Sequence, residues 1–292
     1  MKRRDFLEHV GWTGAGIAWT LTSAGTLTAS ASAAGSGLTF VQISDSHIGF
    51  ARPENPDVAG TLQKTVQAIN GRRIQPAFVV HTGDITHLSK PEQFDAAKSI
   101  LSELRAPVLY LPGEHDVIGS SAEYFKFFSR QDARNGWFSF DQGGAHFVAL
   151  VNVFNFERMG LLGQAQLDWL ALDLESQKQS TPIIVFAHVP LYALYPQWGW
   201  TTEDGSKALA LLRRFDRVTV LSGHIHQIIE HTEGNIRFAT ANSTAYPQPK
   251  PGAAAKPGPR QVAPNQLLGV IGYRTVQLDN SGGSAISDSS LG

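Results

Sequence analysis

The chain has 292 residues, 42% of them hydrophobic and 17% charged, and a formal net charge of −1. This is enough apolar content to bury a sizeable core, and no shift in composition forces a second domain. The absence of cysteine excludes disulfides, thiolate ligands and cysteine nucleophiles, so any metal must sit on nitrogen and oxygen. The near-neutral balance leaves no evident nucleic-acid surface.

Lys2-Arg3-Arg4-Asp5-Phe6-Leu7 leads into a modestly apolar stretch, residues 10–27, diluted by four Gly and five Thr or Ser. The small-residue run Ala29-Ser30-Ala31-Ser32-Ala33 follows. The pattern resembles a twin-arginine export signal, departing from it at Lys2 and Glu8 without touching the arginine pair. The competing reading is a membrane anchor, but a stable span needs about 20 mainly apolar residues. The expectation is a signal over residues 1–34, read by the twin-arginine export machinery, then one domain over residues 35–292, periplasmic or secreted. That route carries folded proteins, and a cysteine-free chain suits folding in the cytoplasm.

Residues 39–43 predict a strand, 58–69 a helix, 77–80 a strand, 91–104 a helix and 108–111 a strand. Residues 137–140 and 146–151 flank Asp141-Gln142-Gly143-Gly144 as a hairpin. A helix over 164–176, a strand over 183–186, a helix over 204–214 and a strand over 218–221 follow. Residues 227–232, 236–241 and 268–278 read as strands without helices between them. Early strand–helix alternation with later hairpins implies an α/β class of two packed sheets flanked by helices.

Each segment rich in carboxylate or imidazole lies just past an apolar run. These are Asp45-Ser46-His47, Gly83-Asp84, Gly113-Glu114-His115-Asp116, His188 and Gly223-His224-Ile225-His226. Strand ends are where ligands bind in open α/β sheets, and such a gathering is what a two-metal hydrolytic site requires. Strand residues two apart point the same way, so Asp45 and His47 can face one ion. Gly83 lets the backbone turn so that Asp84 can reach two cations, and Gly223 supplies the tight turn before His224 and His226. Pro190 stops helix continuation after His188. Taken singly, Asp45 and Asp84 read equally as turn residues, His47 as solvated and His188 as a core histidine. The donor set suits Zn, Fe, Mn, Ni or Co without choosing among them.

In their order these segments resemble the calcineurin-like metallophosphoesterase family, which reads Asp-x-His, Gly-Asp, Gly-Asn-His-Asp or Glu, a lone His, then Gly-His-x-His. The likeness spans residues 40–227, with Glu114 standing where the family has Asn. The resemblance implies a two-sheet αββα sandwich and two divalent or mixed-valence metal ions such as Fe, Mn or Zn. One ion would be held by Asp45, His47, Asp84 and His226, the other by Asp84, Glu114, His188 and His224. It further implies hydrolysis of a small-molecule phosphoester by a hydroxide held between the metals, with His115 over the substrate and Asp116 raising or orienting its charge. Asp116 as a mere turn cap is the alternative.

Three functions follow: a phosphodiesterase on a small organic or nucleotide substrate, a phosphomonoesterase, or a non-catalytic exported metal-binding protein. Glu114 adds a negative charge where Asn is neutral, which favours a singly charged diester over a doubly charged monoester; the alternative is that its longer side chain swings away. His87 stands where purple acid phosphatases carry a metal-ligating Tyr, and it reads as a solvated loop residue, the alternative being that it faces substrate from its loop. His81, His146 and His231 match no motif and read as structural. Tyr192, Tyr195, Trp198 and Trp200 would either wall the mouth of the site or pack over the core. Residues 246–264, with six Pro, read as a lid or an inert excursion.

Overall fold

Alternation along a single strand sets the architecture. In the strand Thr39–Ile43, Phe40 joins one apolar cluster while Val41 and Ile43 join another, and all three are fully buried. A strand with both faces buried must lie between two layers. The structure, a computed structural model, describes residues 17–21, 27–31, 37–128, 135–154, 160–279 and 282–292. The chain divides into two units, Met1–Gly37 and Leu38–Gly292. In the first, strands β1 (Ile17–Leu21) and β2 (Leu27–Ala31) pair antiparallel. The arginine pair and the 34/35 boundary expected for an export signal lie outside the described residues.

The second unit carries two sheets. The first has the order β13-β12-β3-β4-β5, with β3 (Thr39–Ile43), β4 (Val79–His81) and β5 (Val108–Tyr110) parallel. To these, β12 (Gly272–Leu278) and β13 (Ser284–Ser290) add antiparallel. The second has the order β10-β11-β9-β8-β7-β6. Here β7 (Ala145–Ala149), β8 (Ile183–Ala187), β9 (Val218–Ser222) and β11 (Ile236–Thr240) are parallel, and β6 (Phe138–Gln142) and β10 (Ile229–Glu233) form antiparallel edges.

Phe40, Phe78, Phe147, Phe186, Leu221 and Val276, drawn from both sheets, form the core between them. On the outer face of the first sheet lie α1 (Val58–Asn70), α2 (Pro91–Leu101) and α3 (Ala122–Phe128), through Leu62, Val66, Phe94 and Phe128. On the outer face of the second lie α4 (Gln164–Glu175) and α5 (Gly205–Leu212), through Leu170 and Leu212. The αββα sandwich is thus the observed fold. Buried Gln42 crosses from one sheet to the other, its Nε2 donating to Thr82 Oγ1 at 3.0 Å and to the Ser222 carbonyl at 3.2 Å. That tie sits near the carboxyl ends of β3, β4 and β9, the end that carries the marked residues.

Two expectations change. The strand expected over 268–278 begins only at Gly272, because Leu267–Val270 forms a helical turn, α6, after Pro264 opens a 3-10 turn. The strand β13 and the helix α3 were not predicted. β13 is polar, with no buried residue, and it is fastened by the buried Arg274, whose Nε and Nη2 each donate to Asp288 at 2.9 Å.

Candidate active site

The first loop leaves β3 at Ile43, so Asp45 and His47 are not strand residues, and pleat alternation does not aim them. Their backbones are left-handed, φ 54° and 43°, and each N–H donates to the loop beyond β4: Asp45 N to the Gly83 carbonyl and His47 N to the Asp84 carbonyl, both 2.9 Å. Asp84, His224 and His226 are also left-handed, at 52°, 70° and 51°. Of the six non-glycine residues described with positive φ, five are these. Such backbone is disfavoured for residues with a Cβ and persists only where the surroundings over-determine it. At Gly83, φ 105°, an added Cβ would lie 2.4 Å from His188 Nδ1 and 2.8 Å from Gly113 N, so close approach as well as the turn requires glycine.

The side chains converge in three groups, of which His47, His87 and His115 make an all-imidazole set and the other two combine carboxylate with imidazole. Asp45, His47 and His226 form one; Asp84, Glu114, His188 and His224 form the other, each with donor atoms within 4.8 Å of one another. Asp84 Oδ2 lies 3.6 Å from His47 Nε2 and 3.5 Å from His188 Nε2, placing its carboxylate between these two groups. Glu114 has not swung away: Oε2 is 2.8 Å from His188 Nε2 and Oε1 is 2.9 Å from His224 Nδ1.

These residues fit cations. His188 Nδ1 donates to the Thr82 carbonyl and His226 Nδ1 to the Tyr246 carbonyl, both at 2.7 Å, which leaves each Nε2 with a lone pair facing its group. His47 Nε2 and His226 Nε2 stand 3.2 Å apart, near the roughly 3.3 Å expected for two nitrogens at about 2.05 Å on one tetrahedral ion. Glu114 Oε2, His188 Nε2 and both ring nitrogens of His224 are buried without a directional hydrogen bond. Buried polar atoms left this way in native proteins call for an explanation, and an ion at the shared focus supplies one.

Electrostatics follow from the crowding. Burial raises Asp45, but His226 outweighs it and holds the carboxyl at about 2. Burial likewise raises Glu114, yet His224 and His188 hold it well below the usual carboxylate range. Burial lowers His188, and Asp84 and Glu114 reverse that. His47 is lowered by burial and by His115, His226 and His87, which keeps it neutral and able to ligate.

His115 lies outside both carboxylate-bearing groups. Burial lowers it, while Asp84 and Glu114 raise it above the ordinary histidine value. Its Nδ1 donates to the His87 carbonyl at 2.8 Å, leaving Nε2 free of that bond. Asp116 raises the pKa of His115 through space, and its own oxygens are engaged by backbone. Its carboxylate is fully buried and accepts from Ile85 N at 3.0 Å, Thr86 N at 2.7 Å, Thr86 Oγ1 at 2.9 Å and Gly113 N at 2.9 Å. Neither oxygen is spare for substrate. Asp116 clamps the Asp84 loop to the Glu114 loop and affects His115 only through space.

His87 is not a solvated loop residue. Its ring stacks on His115 at 4.9 Å and 15°, meets Phe50 edge-on at 5.2 Å, and brings Nδ1 within 3.4 Å of His47 Nδ1. Burial and His115 lower it to about 4, so it is neutral. Buried His81, read as structural, sits directly behind the site with Nε2 2.9 Å from Ser46 Oγ. Sequence reasoning missed Tyr246, whose ring stacks on His47 at 5.0 Å and whose carbonyl orients His226. It also missed Ser243, whose hydroxyl donates to the Asp45 carbonyl at 2.7 Å. Neither falls in a motif.

The aromatic run divides. Tyr192 packs on Phe238 and His231, and Trp200 is buried against Trp198, so these two serve the core reading. Residues 246–264 are tied to the site: Gln248 Nε2 donates to the His224 carbonyl at 2.9 Å, and Gln248 Oε1 accepts from Gly258 N at 3.0 Å.

Fold and site together define a two-sheet protein with a carboxylate–imidazole centre at the carboxyl ends of its parallel strands. Residues 38–228 match the calcineurin-like phosphoesterase family, and the chain belongs to it. It is 27% identical over 218 residues to the glycerophosphodiester phosphodiesterase GpdQ of Enterobacter lignolyticus, covering 71% of this chain and 77% of that protein. A 3',5'-cyclic-nucleotide phosphodiesterase of Nostoc is 24% identical over 217 residues, covering 72% and 79%. The fold resembles that of a dimetal phosphatase from Danio rerio, with TM-score 0.66 and 15% identity over 88% of this chain and 97% of that one.

Proposed function

We propose that this protein is an exported, two-metal phosphodiesterase acting on a small organic or nucleotide diester. Asp45, His47, Asp84 and His226 would hold one ion, and Asp84, Glu114, His188 and His224 the other. When bound, such a pair supplies Lewis acidity and an activated water for attack on phosphorus. The observation that carries this reading is the Asp84 carboxylate standing between two sets of imidazoles.

The chain's own residues account for the rest. His115, held through Nδ1 and drawn to its charged form by Asp84 and Glu114, is suited to give a proton to the departing alkoxide or to stabilise phosphoryl charge. Glu114 within the second group lowers the net positive charge of the site by one relative to Asn, which favours a diester over a doubly charged monoester. The names of the GpdQ and cyclic-nucleotide relatives support the same choice.

The test is elemental analysis of protein purified without added metal, together with kcat/KM on an aryl diester and an aryl monoester. Two metal equivalents and a higher value on the diester are expected; a metal-free protein that turns over neither refutes the reading. Export rests on the pattern of residues 1–34. Among the described residues no helix is long and apolar enough to cross a membrane. Replacing Arg3 and Arg4 by Lys should retain the protein in the cytoplasm, and undiminished export of that variant would remove this part.

A further inference from the structure

His87 lies in neither proposed metal group, yet it touches a member of the site on each side. His47 turns Nε2 toward His226 and Asp84, so as a neutral ligand it carries its proton on Nδ1. A ligating histidine whose second nitrogen has no acceptor is free to rotate and is a poorer donor. His226 and His188 solve this with the carbonyls of Tyr246 and Thr82. For His47 the polar atom within hydrogen-bond reach of Nδ1 is His87 Nδ1, at 3.4 Å. The same residue offers its carbonyl to His115 Nδ1 at 2.8 Å and stacks its ring on that imidazole. Phe50 closes edge-on against the His87 ring, at 5.2 Å.

We infer that His87 is a positioning residue that accepts a hydrogen bond from the Nδ1–H of His47 and thereby sets the orientation and affinity of the ligand at the first metal. The inference rests on the two-metal reading. It fixes the tautomer: His47 protonated on Nδ1, His87 unprotonated on Nδ1 and protonated on Nε2. It also separates two jobs. Truncating the side chain removes the acceptor for His47 but leaves the backbone carbonyl that holds His115.

The test measures metal affinity by competition with a chelator, and kcat over a metal titration, for the parent protein, His87→Ala and His87→Asn. Asparagine Oδ1 occupies nearly the position of histidine Nδ1 and accepts a hydrogen bond. His87→Ala should weaken one of the two metals about 10- to 100-fold and leave the other unchanged. Its kcat should recover to within about threefold of the parent once metal is saturating, since an outer-shell defect acts through the ligand it orients. His87→Asn should restore most of the affinity. Equal binding of both metals in the parent and His87→Ala overturns the inference while leaving the two-metal reading intact, and so does an Asn variant as weak as the Ala variant. A parent that binds no metal overturns both. Loss of a third metal equivalent in His87→Ala would also overturn it, making His87 a ligand together with His47 and His115.

Discussion

The carboxylate of Asp84 accepts a hydrogen bond from the backbone N–H of His115, with N to Oδ1 at 2.9 Å. Its other oxygen lies between His47 and His188. One side chain therefore joins both carboxylate-bearing donor groups and also fixes the loop that presents the candidate acid. Asp84→Ala should lose both metals and nearly all hydrolysis, whereas His226→Ala should deplete mainly one. Metal content by mass spectrometry beside turnover checks this, and an Asp84→Ala protein with two metals and full activity excludes a shared carboxylate.

At His115, chemistry and metal binding should separate. His115→Ala is expected to keep two metals and to lose roughly two to four powers of ten in kcat. The loss should shrink on diesters with acidic leaving groups, which need no proton. A uniform loss across leaving groups would assign His115 to charge stabilisation instead.

Glu114 sets the charge of the second group. Glu114→Asn should raise the monoester-to-diester ratio of kcat/KM. It should also move the acidic limb of the pH–rate profile to lower pH, because a more positive site favours the deprotonated form of any water it holds. An unchanged ratio and profile at unchanged metal content would make the carboxylate a bystander.

Away from the site, His146 on β7 bonds Asp141 Oδ1 through Nδ1 at 2.7 Å and Asp173 Oδ2 through Nε2 at 2.9 Å. Burial lowers its pKa, and the two carboxylates more than reverse this. Because the folded value is raised, the stability it contributes is fully present below the unfolded histidine pKa, about 6.5. That stability is lost as pH rises through the folded value. His146→Phe should cost about 1–3 kcal/mol at pH 6 and flatten that part of the profile. Denaturant midpoints of parent and variant from pH 5 to 9 test it, and parallel profiles would show that the pair of carboxylates does not stabilise the imidazolium.

Of the strands that carry the marked residues, β3, β4, β8 and β9 were legible because both of their faces are buried, and the resulting apolar runs stop where the polar motifs start. The edge strand β13 was not, since its residues gain order from Asp288 meeting Arg274 on a neighbouring strand, a pairing that no local pattern announces. The seven residues of α3 are too few for a periodicity to declare itself. Asp45 and His47 were expected to share a face by strand alternation, whereas a left-handed turn and not the pleat orients them. Asp116 and His87 show the same limit from the other side. What each does depends on partners 28 to 40 residues distant in the chain, Ile85 and Thr86 for the first and His47 and the His115 side chain for the second.

The five left-handed donor residues also bear on how this chain tolerates change. Holding Asp45, His47, Asp84, His224 and His226 in that conformation costs about 1 kcal/mol each, together comparable to the entire net stability of a small domain. Glycine adopts this backbone freely, so at each position it should destabilise the metal-free protein less than alanine does, although both abolish the donor. Selection for thermal resistance alone would therefore drift toward glycine at these donors, and only a screen that also scores turnover would keep the centre intact.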